Sequence, residues 1–127
     1  MILAVLIDPE PWRRRLDQLR ADAGEVGVTI VISAVSLFEL LRWSFRRGNS
    51  NEARESILAL RENPVVEIRP LTIEIAERAA GFAHGLGLHT SDALILATCV
   101  DCGCEVLLTT DRQFEVVENS IIKVEFL

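Results

Sequence analysis

Short runs of β-branched and aliphatic residues alternate with longer segments of helical periodicity along this chain. Thr29–Ser33 is one such run and Glu105–Thr110 is another. This alternation is typical of parallel strands that are joined by helical crossovers. The length of 127 residues corresponds to about one domain. We therefore predict a single α/β domain over residues 1–127, with a central parallel sheet of about four or five strands.

Capping residues and glycines set the expected limits of the helices. The helices are predicted over Val35–Arg47, from Ser50 or Asn51 to about Glu62, from the cap Thr72 to Gly85 and Gly87, and from Thr90 or Ser91 to Gly103. The remaining strands are predicted over Val65–Arg69 and Ile121–Phe126. In a sheet of this kind ligands collect beyond the carboxyl ends of the strands, so the residues there are the first candidates for chemistry.

Two aspartates lie where such a site is expected. Asp111 directly follows the strand that ends at Thr110, and Asp92 lies in the first turn of the helix before that strand. Each has a structural alternative. Asp111 could cap the next helix, and Asp92 could offset the helix dipole.

Glu39 interrupts a stretch that is apolar nearly all round, between Ala34 and Leu41. Such a stretch is expected to be buried, and a buried glutamate is rare unless it is paired or bound. An ion pair with Arg42, three residues on, is the competing explanation.

If the fold brings these three carboxylates together, their repulsion requires a compensating charge. Oxygen ligands from Asp and Glu suit Mg²⁺ or Mn²⁺. Such a cation can polarise a phosphodiester and lower the pKa of an attacking water.

The charge of the chain is acidic overall but unevenly distributed. A net charge of -6 argues against a surface built entirely to bind phosphate backbones. Ten arginines nevertheless lie between Arg13 and Arg69, including Arg42, Arg46 and Arg47. That half could carry a basic face, although solvated helix surfaces are the commoner explanation of such clusters.

The cysteines and the amino-terminal residues indicate the compartment. The three cysteines, Cys99, Cys102 and Cys104, are an odd number and do not suit a disulfide framework. Met1–Ile7 is too short for a signal peptide and lacks a basic n-region. The chain has no apolar run long enough to span a membrane. We expect a cytoplasmic protein.

The segments Ile32–Leu41, Ser91–Ala97 and Leu107–Phe114 form a recognisable set. They resemble the PIN-domain ribonucleases, and especially the VapC-like toxins of toxin–antitoxin pairs. Ile32–Leu41 resembles the strand and helix that carry the family's metal-site glutamate. Ser91–Ala97 resembles its Asp-Ala-Leu-Ile helix start, and Leu107–Phe114 resembles its Thr-x-Asp-x-x-Phe segment. The three segments occur in the family's order, and the resemblance covers nearly the whole chain.

The resemblance implies a three-layer α/β/α fold and a metal-dependent endoribonuclease that hydrolyses RNA. Glu39, Asp92 and Asp111 would be catalytic and would bind Mg²⁺ or Mn²⁺. Thr109 would position a water at the cation or a backbone oxygen, and Ser91 is a weaker candidate for a supporting role. The resemblance also implies an RNA substrate, a cognate antitoxin and a homodimer. Trp12, Trp43 and Phe45 lie among arginines, and aromatic residues together with arginine are favoured in interfaces. Ordinary helix packing explains them as well.

The amino terminus departs from the family. Members begin with a strand that ends in a metal-binding Asp, whereas Met1–Pro11 resembles the segment after it. On this interpretation the first strand and its ligand are missing. The alternative is that Met1–Ile7 is the strand and Asp8 the ligand, but the following Pro9-Glu10-Pro11 does not resemble the start of a helix.

Two other functional classes remain open. A PIN-like protein without the first Asp could be a non-catalytic binding or interaction protein. A phosphoryl-accepting receiver domain has a similar length and acids at its strand ends, and Lys123 could act as its lysine. Receivers, however, keep an acidic pair near the first strand, where this chain has only Asp8 and Glu10.

Overall fold

The chain folds into a parallel sheet with helices against it. The computed structural model describes residues 2–5, 14, 17–18, 21–22, 24, 27–117 and 120–126. The strands in these residues are β1 (Ile2–Val5), β2 (Thr29–Ser33), β3 (Val66–Arg69), β4 (Val106–Thr109) and β5 (Lys123–Phe126). The helices are α1 (Ala34–Arg47), α2 (Ser50–Glu62), α3 (Ile73–Leu86) and α4 (Thr90–Asp101), and a 3-10 helix covers Arg112–Val117.

The strands form one parallel sheet in the order β3-β2-β1-β4-β5. This confirms the predicted α/β class, and five strands are seen in the described residues. Receiver domains have the order 2-1-3-4-5. The receiver alternative is therefore wrong for this chain.

The expectation that the first strand is missing is also wrong. β1 lies at the centre of the sheet, where Ala4 pairs with Val31 of β2 on one side and with Leu107 of β4 on the other. Four residues are enough for this strand because it is bonded along both edges. Asp8, the alternative ligand, lies outside the described residues, so its role stays a prediction.

Apolar side chains cover both faces of the sheet. Leu107 belongs to a core cluster with residues of α3, α4 and β5, whereas Val106 and Leu108 belong to a second cluster with residues of β2. This alternation follows from the period of two in a strand. Leu37 of α1 and Leu60 of α2 pack on the second cluster, so helices lie on both faces and the three-layer arrangement is confirmed.

Helix limits follow local capping chemistry, with small differences from the prediction. Ser33 caps α1 by accepting a hydrogen bond from the Val35 N–H (3.1 Å), and Thr72 caps α3 through the Ile75 N–H (3.2 Å). α2 and α4 begin one residue after Asn49 and His89, neither of which makes a side-chain capping bond. Within the described ranges, no helix has both the length and the apolar character that crossing a membrane requires.

The three cysteines lie around the junction of α4 and β4. All three are free thiols, and Cys99 is fully buried. The Sγ atoms of Cys102 and Cys104 are 3.3 Å apart.

Candidate active site

The three predicted acids come from separate elements that meet at the carboxyl edge of the sheet. Glu39 lies in the second turn of α1, which begins directly after β2. Asp92 lies in the first turn of α4, and Asp111 lies two residues beyond the end of β4. Since β4 follows α4 and runs back across the sheet, the start of α4 and the end of β4 are at the same edge.

Asp92 is a buried carboxyl group close to two other acids. Its side chain is buried, with an exposed fraction of 7%. Burial and the repulsion of the Asp111 and Glu39 carboxylates raise its pKa to about 6, against the opposing effect of His89. A carboxylate that only offset the helix dipole would be stabilised in its charged form. The dipole alternative therefore does not account for Asp92.

Asp111 is held in place by its own backbone and by β4. Its N–H donates to Thr109 Oγ1 (3.0 Å), and its Oδ1 accepts a hydrogen bond from the Gln113 N–H (2.9 Å). The second bond caps the 3-10 helix, in agreement with the structural alternative. Asp111 also forms a side-chain hydrogen bond with Asp92, so capping leaves part of the carboxylate directed at the other acid.

Thr109 acts on Asp111 in this structure. It is fully buried at the end of β4, and its hydroxyl accepts the Asp111 N–H. A β-branched residue fits a strand end and also supplies this hydroxyl. Whether Thr109 also contacts a water at a cation stays a prediction.

Glu39 is exposed, so the expectation that it is buried is wrong. Phe38 beside it is also largely exposed, at 63%. The apolar stretch borders open space on this side of α1, while Ser36 and Ser44 lie buried on another. In the described part of the chain Glu39 makes no ion pair with Arg42, so that alternative explanation is not supported by the structure.

An apolar groove of about 650 Å³ opens beside the acids. It lies between the start of α1, the loop before α3 and the start of α4. Its lining comprises Ala34, Val35, Phe38, Leu71, His89, Thr90, Ser91 and Leu94. Ser91 is therefore adjacent to the acid cluster, but it faces an apolar groove.

His89 is the residue near this site that the sequence did not single out. It occupies the N-cap position of α4, lines the groove and lowers the pKa of Asp92. Its position three residues before Asp92, at a helix start, is the signal that could have found it.

The donor set fits a hard divalent cation. The acids supply only oxygen ligands. Burial, and then the repulsion of the Asp111 and Glu39 carboxylates, raise the pKa of Asp92, and a bound cation would oppose this shift. Among the described residues, which do not include Asp8, no three His, Cys, Asp or Glu side chains are already arranged to hold a metal ion. Binding would therefore require the acids to move closer together or a further ligand.

Comparison with solved structures gives the same fold. The chain is similar to VapBC-1 from nontypeable Haemophilus influenzae, at a TM-score of 0.74 and 17% identity over 99% of this chain and 98% of that chain. It is similar to VapC20 from Mycobacterium tuberculosis, a sarcin-ricin loop cleaving toxin, at 0.65 and 16% over 98% of both chains. It is also similar to FitAcB from Neisseria gonorrhoeae, at 0.64 and 22% over 100% of this chain and 97% of that chain.

Sequence comparison assigns the family. No curated protein sequence matches the chain. The family model described as PIN domain matches residues 1–119, which include all three acids and the central strand. The resemblance seen in the sequence is thereby confirmed: the chain belongs to the PIN domain family.

Proposed function

We propose that this protein is a Mg²⁺- or Mn²⁺-dependent endoribonuclease, a VapC-like toxin that hydrolyses RNA phosphodiester bonds with an activated water. The observation that carries the proposal is the meeting of Glu39, Asp92 and Asp111 at one edge of the sheet, with the pKa of Asp92 raised to about 6. Groups perturbed by burial together with specific charges are concentrated at functional sites. The family match and the similarity to VapC20, a toxin that cleaves the sarcin-ricin loop, support the substrate class.

Glu39, Asp92 and Asp111 would hold the cation, with Asp8 as a further ligand. When bound, the cation would neutralise charge on the phosphodiester and lower the pKa of the attacking water. Thr109 fixes the backbone of Asp111 and so limits the directions in which its carboxylate can point. Ser91, at the rim of the groove, is proposed to support the substrate or the ligands beside Asp92.

The charge state of Asp92 determines how well the site can bind a cation. Below about pH 6 its carboxyl holds a proton and donates a hydrogen bond to Asp111. Above that pH the two carboxylates repel each other, and the site then favours a cation. Cation binding in weakly acidic solution would therefore be coupled to the loss of one proton from Asp92.

We further propose a cognate antitoxin as partner, and a homodimer in the cytoplasm. The structural neighbours include VapBC and FitAcB proteins, one of them a VapBC2 from Rickettsia felis bound to DNA from its promoter. Phe38 and Leu71, which line the groove, are 63% and 51% exposed. An antitoxin segment that covers this groove would remove apolar surface from water and block access to the acids. The free cysteines suit a reducing compartment.

A non-catalytic binding protein is the second candidate. It is favoured by one observation: the described side chains include no group of three already placed to hold a metal. Calorimetric titration with Mn²⁺ separates the two, because a binding protein without a metal site gives no heat at millimolar concentrations. A nuclease site gives saturable binding.

The decisive experiment is cleavage of single-stranded RNA in Mn²⁺ with and without excess chelator. We expect cleavage that the chelator abolishes and that falls by at least about a hundredfold in Asp111→Asn, because the absence of one ligand weakens metal binding directly. Asp101→Asn is the matched control, since Asp101 lies exposed at the far end of α4. Cleavage that survives both the chelator and Asp111→Asn would exclude the proposed mechanism.

A further inference from the structure

One exposed face of α1 leads away from the acid site. It carries Glu39, Arg42, Trp43, Arg46 and Arg47, and all five side chains are exposed. Their spacing of three and four residues places them on one side of the helix. Glu39 is at the end nearest the other acids, and the rest, here termed the basic face of α1, extends toward Gly48.

The positive charge on the basic face is available to a ligand. Arg42 and Arg46 form no ion pair with any carboxylate in the part of the chain that the structure describes. Glu39 is the only acidic residue in α1. The helix dipole accounts for arginines in the last turn, where Arg46 and Arg47 lie. It does not account for Arg42, which is one turn earlier.

Trp43 supplies an aromatic ring between these arginines. It leaves 49% of its surface exposed, and the Arg47 guanidinium lies over its ring at 3.9 Å from the centroid. An exposed tryptophan stacked with arginine is the combination that proteins use to bind single-stranded nucleic acid. Bases stack on the ring and arginines follow the backbone.

We propose that the basic face of α1 is the track along which a single-stranded RNA approaches the acid site, with phosphates on Arg42 and Arg46 and a base on Trp43. The proposal rests on the function proposed above. Trp43 and Arg46 lie about 6 Å and about 10 Å along the helix from Glu39, at 1.5 Å per residue. A strand of a few nucleotides covers that length.

A protein partner is the less favoured occupant of this face. The apolar groove beside Asp92 presents mostly carbon to the solvent, which suits a protein segment. The basic face instead presents three guanidinium groups for one aromatic ring, which is complementary to a phosphate backbone.

The first test measures the affinity for a fluorescent single-stranded RNA by anisotropy, in the cleavage-deficient Asp111→Asn background. We expect the double variant Arg42→Gln/Arg46→Gln to bind at least about tenfold more weakly. We also expect the dependence of log K on log salt to become shallower. The magnitude of its negative slope should decrease by about 1.4, at about 0.7 for each phosphate that is no longer neutralised. Arg61→Gln/Arg78→Gln makes the same charge change at exposed positions of α2 and α3 and should alter affinity less than about twofold.

The second test follows the base on the ring. The chain has two tryptophans, so Trp12→Phe leaves Trp43 as the only one. RNA should then quench its fluorescence with the dissociation constant that anisotropy gives. Trp43→Ala should weaken binding about tenfold, whereas Trp43→Phe, which keeps a ring, should weaken it much less.

The outcomes separate this proposal from the proposed function. Metal-dependent RNA cleavage that is abolished in Asp111→Asn, together with unchanged RNA binding in the Arg42/Arg46 and Trp43 variants, overturns the RNA track alone and assigns the face to a protein partner. Absence of both RNA binding and cleavage in the unmodified protein overturns both. An equal loss of RNA affinity in the Arg61→Gln/Arg78→Gln control would show that the effect comes from net charge alone. That result would also overturn the RNA track.

Discussion

Asp92 and Asp111 share a side-chain hydrogen bond although they are nineteen residues apart and belong to different elements. The bond requires a proton between two groups that would otherwise both be negative. Burial is the largest contribution to the cost of ionising Asp92, and the neighbouring carboxylates of Asp111 and Glu39 add to it. The metal-free fold therefore stores unfavourable electrostatic energy at neutral pH.

Replacement of Asp92 by asparagine should stabilise the metal-free protein at neutral pH. The folded-state pKa of Asp92, about 6, lies above its usual value of 3.8. The stabilising contribution of its proton is therefore complete below about pH 4 and is lost as the pH rises through about 6. Asparagine does not ionise, so Asp92→Asn should gain up to about 3 kcal/mol relative to the unmodified protein between pH 4 and pH 7.

Denaturant unfolding in the presence of chelator measures this difference at both pH values. Asp101→Asn, the same change at the exposed end of α4, controls for the loss of a carboxylate as such. A free-energy difference between Asp92→Asn and the unmodified protein that is the same at pH 4 and pH 7 would contradict the prediction.

Affinity for Mn²⁺ should depend on pH through the same group. The cation competes with the proton on Asp92, so the apparent affinity should fall about tenfold per pH unit below about 6 and change less above it. Calorimetry in two buffers of different ionisation enthalpy should detect about one proton released per Mn²⁺ bound at pH 5 and almost none at pH 7.5. In Asp92→Asn, Mn²⁺ binding should be weaker, and the release of this proton at pH 5 should disappear. If Asp92→Asn still releases a proton when it binds Mn²⁺ at pH 5, the proton comes from another group.

Local signals in the sequence predict most of the elements. The β-branched run Thr29–Ser33 forms β2 with the predicted limits, and Thr72 caps α3 as expected. In both cases the deciding interactions are made within a few residues. The convergence of Asp92 and Asp111 can be expected for a related reason, because chain direction alone places helix starts and strand ends of a parallel sheet at one edge.

Features that depend on distant partners are not predictable in this way. The central position of β1 depends on its hydrogen bonds with β2 and β4. The sequence around Asp8 does not indicate which strands these partners are. The apolar neighbours of Glu39 predict burial, yet its side chain is exposed. Hydrophobic pattern does not distinguish a helix side that packs in a core from one that borders an open groove, as Phe38 does.

The thiol of Cys102 should be unreactive in the folded protein. Burial, and then its hydrogen bond with Cys104, raise its pKa to about 12. The thiolate fraction at neutral pH should fall by about three orders of magnitude, partly offset by the greater nucleophilicity of a more basic thiolate. Alkylation by iodoacetamide should therefore be at least about thirtyfold slower in the folded chain than in guanidinium, as read site by site by mass spectrometry. Cys104→Ser should accelerate it only modestly, because burial remains. Equal rates in the folded and unfolded chains would show that Cys102 is not shielded.

Thr109 should matter to activity through Asp111. Thr109→Val keeps the shape of the side chain but removes the oxygen that accepts the Asp111 N–H, so a partly buried donor loses its partner. We expect a loss of about 1–2 kcal/mol in the free energy of unfolding. We also expect at least about a tenfold loss of metal-dependent RNA cleavage, because the Asp111 carboxylate is no longer fixed in direction. Thr109→Ser, which keeps the hydroxyl, should recover most of the activity while it still loses a buried methyl group. Such a split between stability and cleavage identifies a positioning role. If Thr109→Ser and Thr109→Val lose cleavage in proportion to their loss of stability, Thr109 contributes to packing alone.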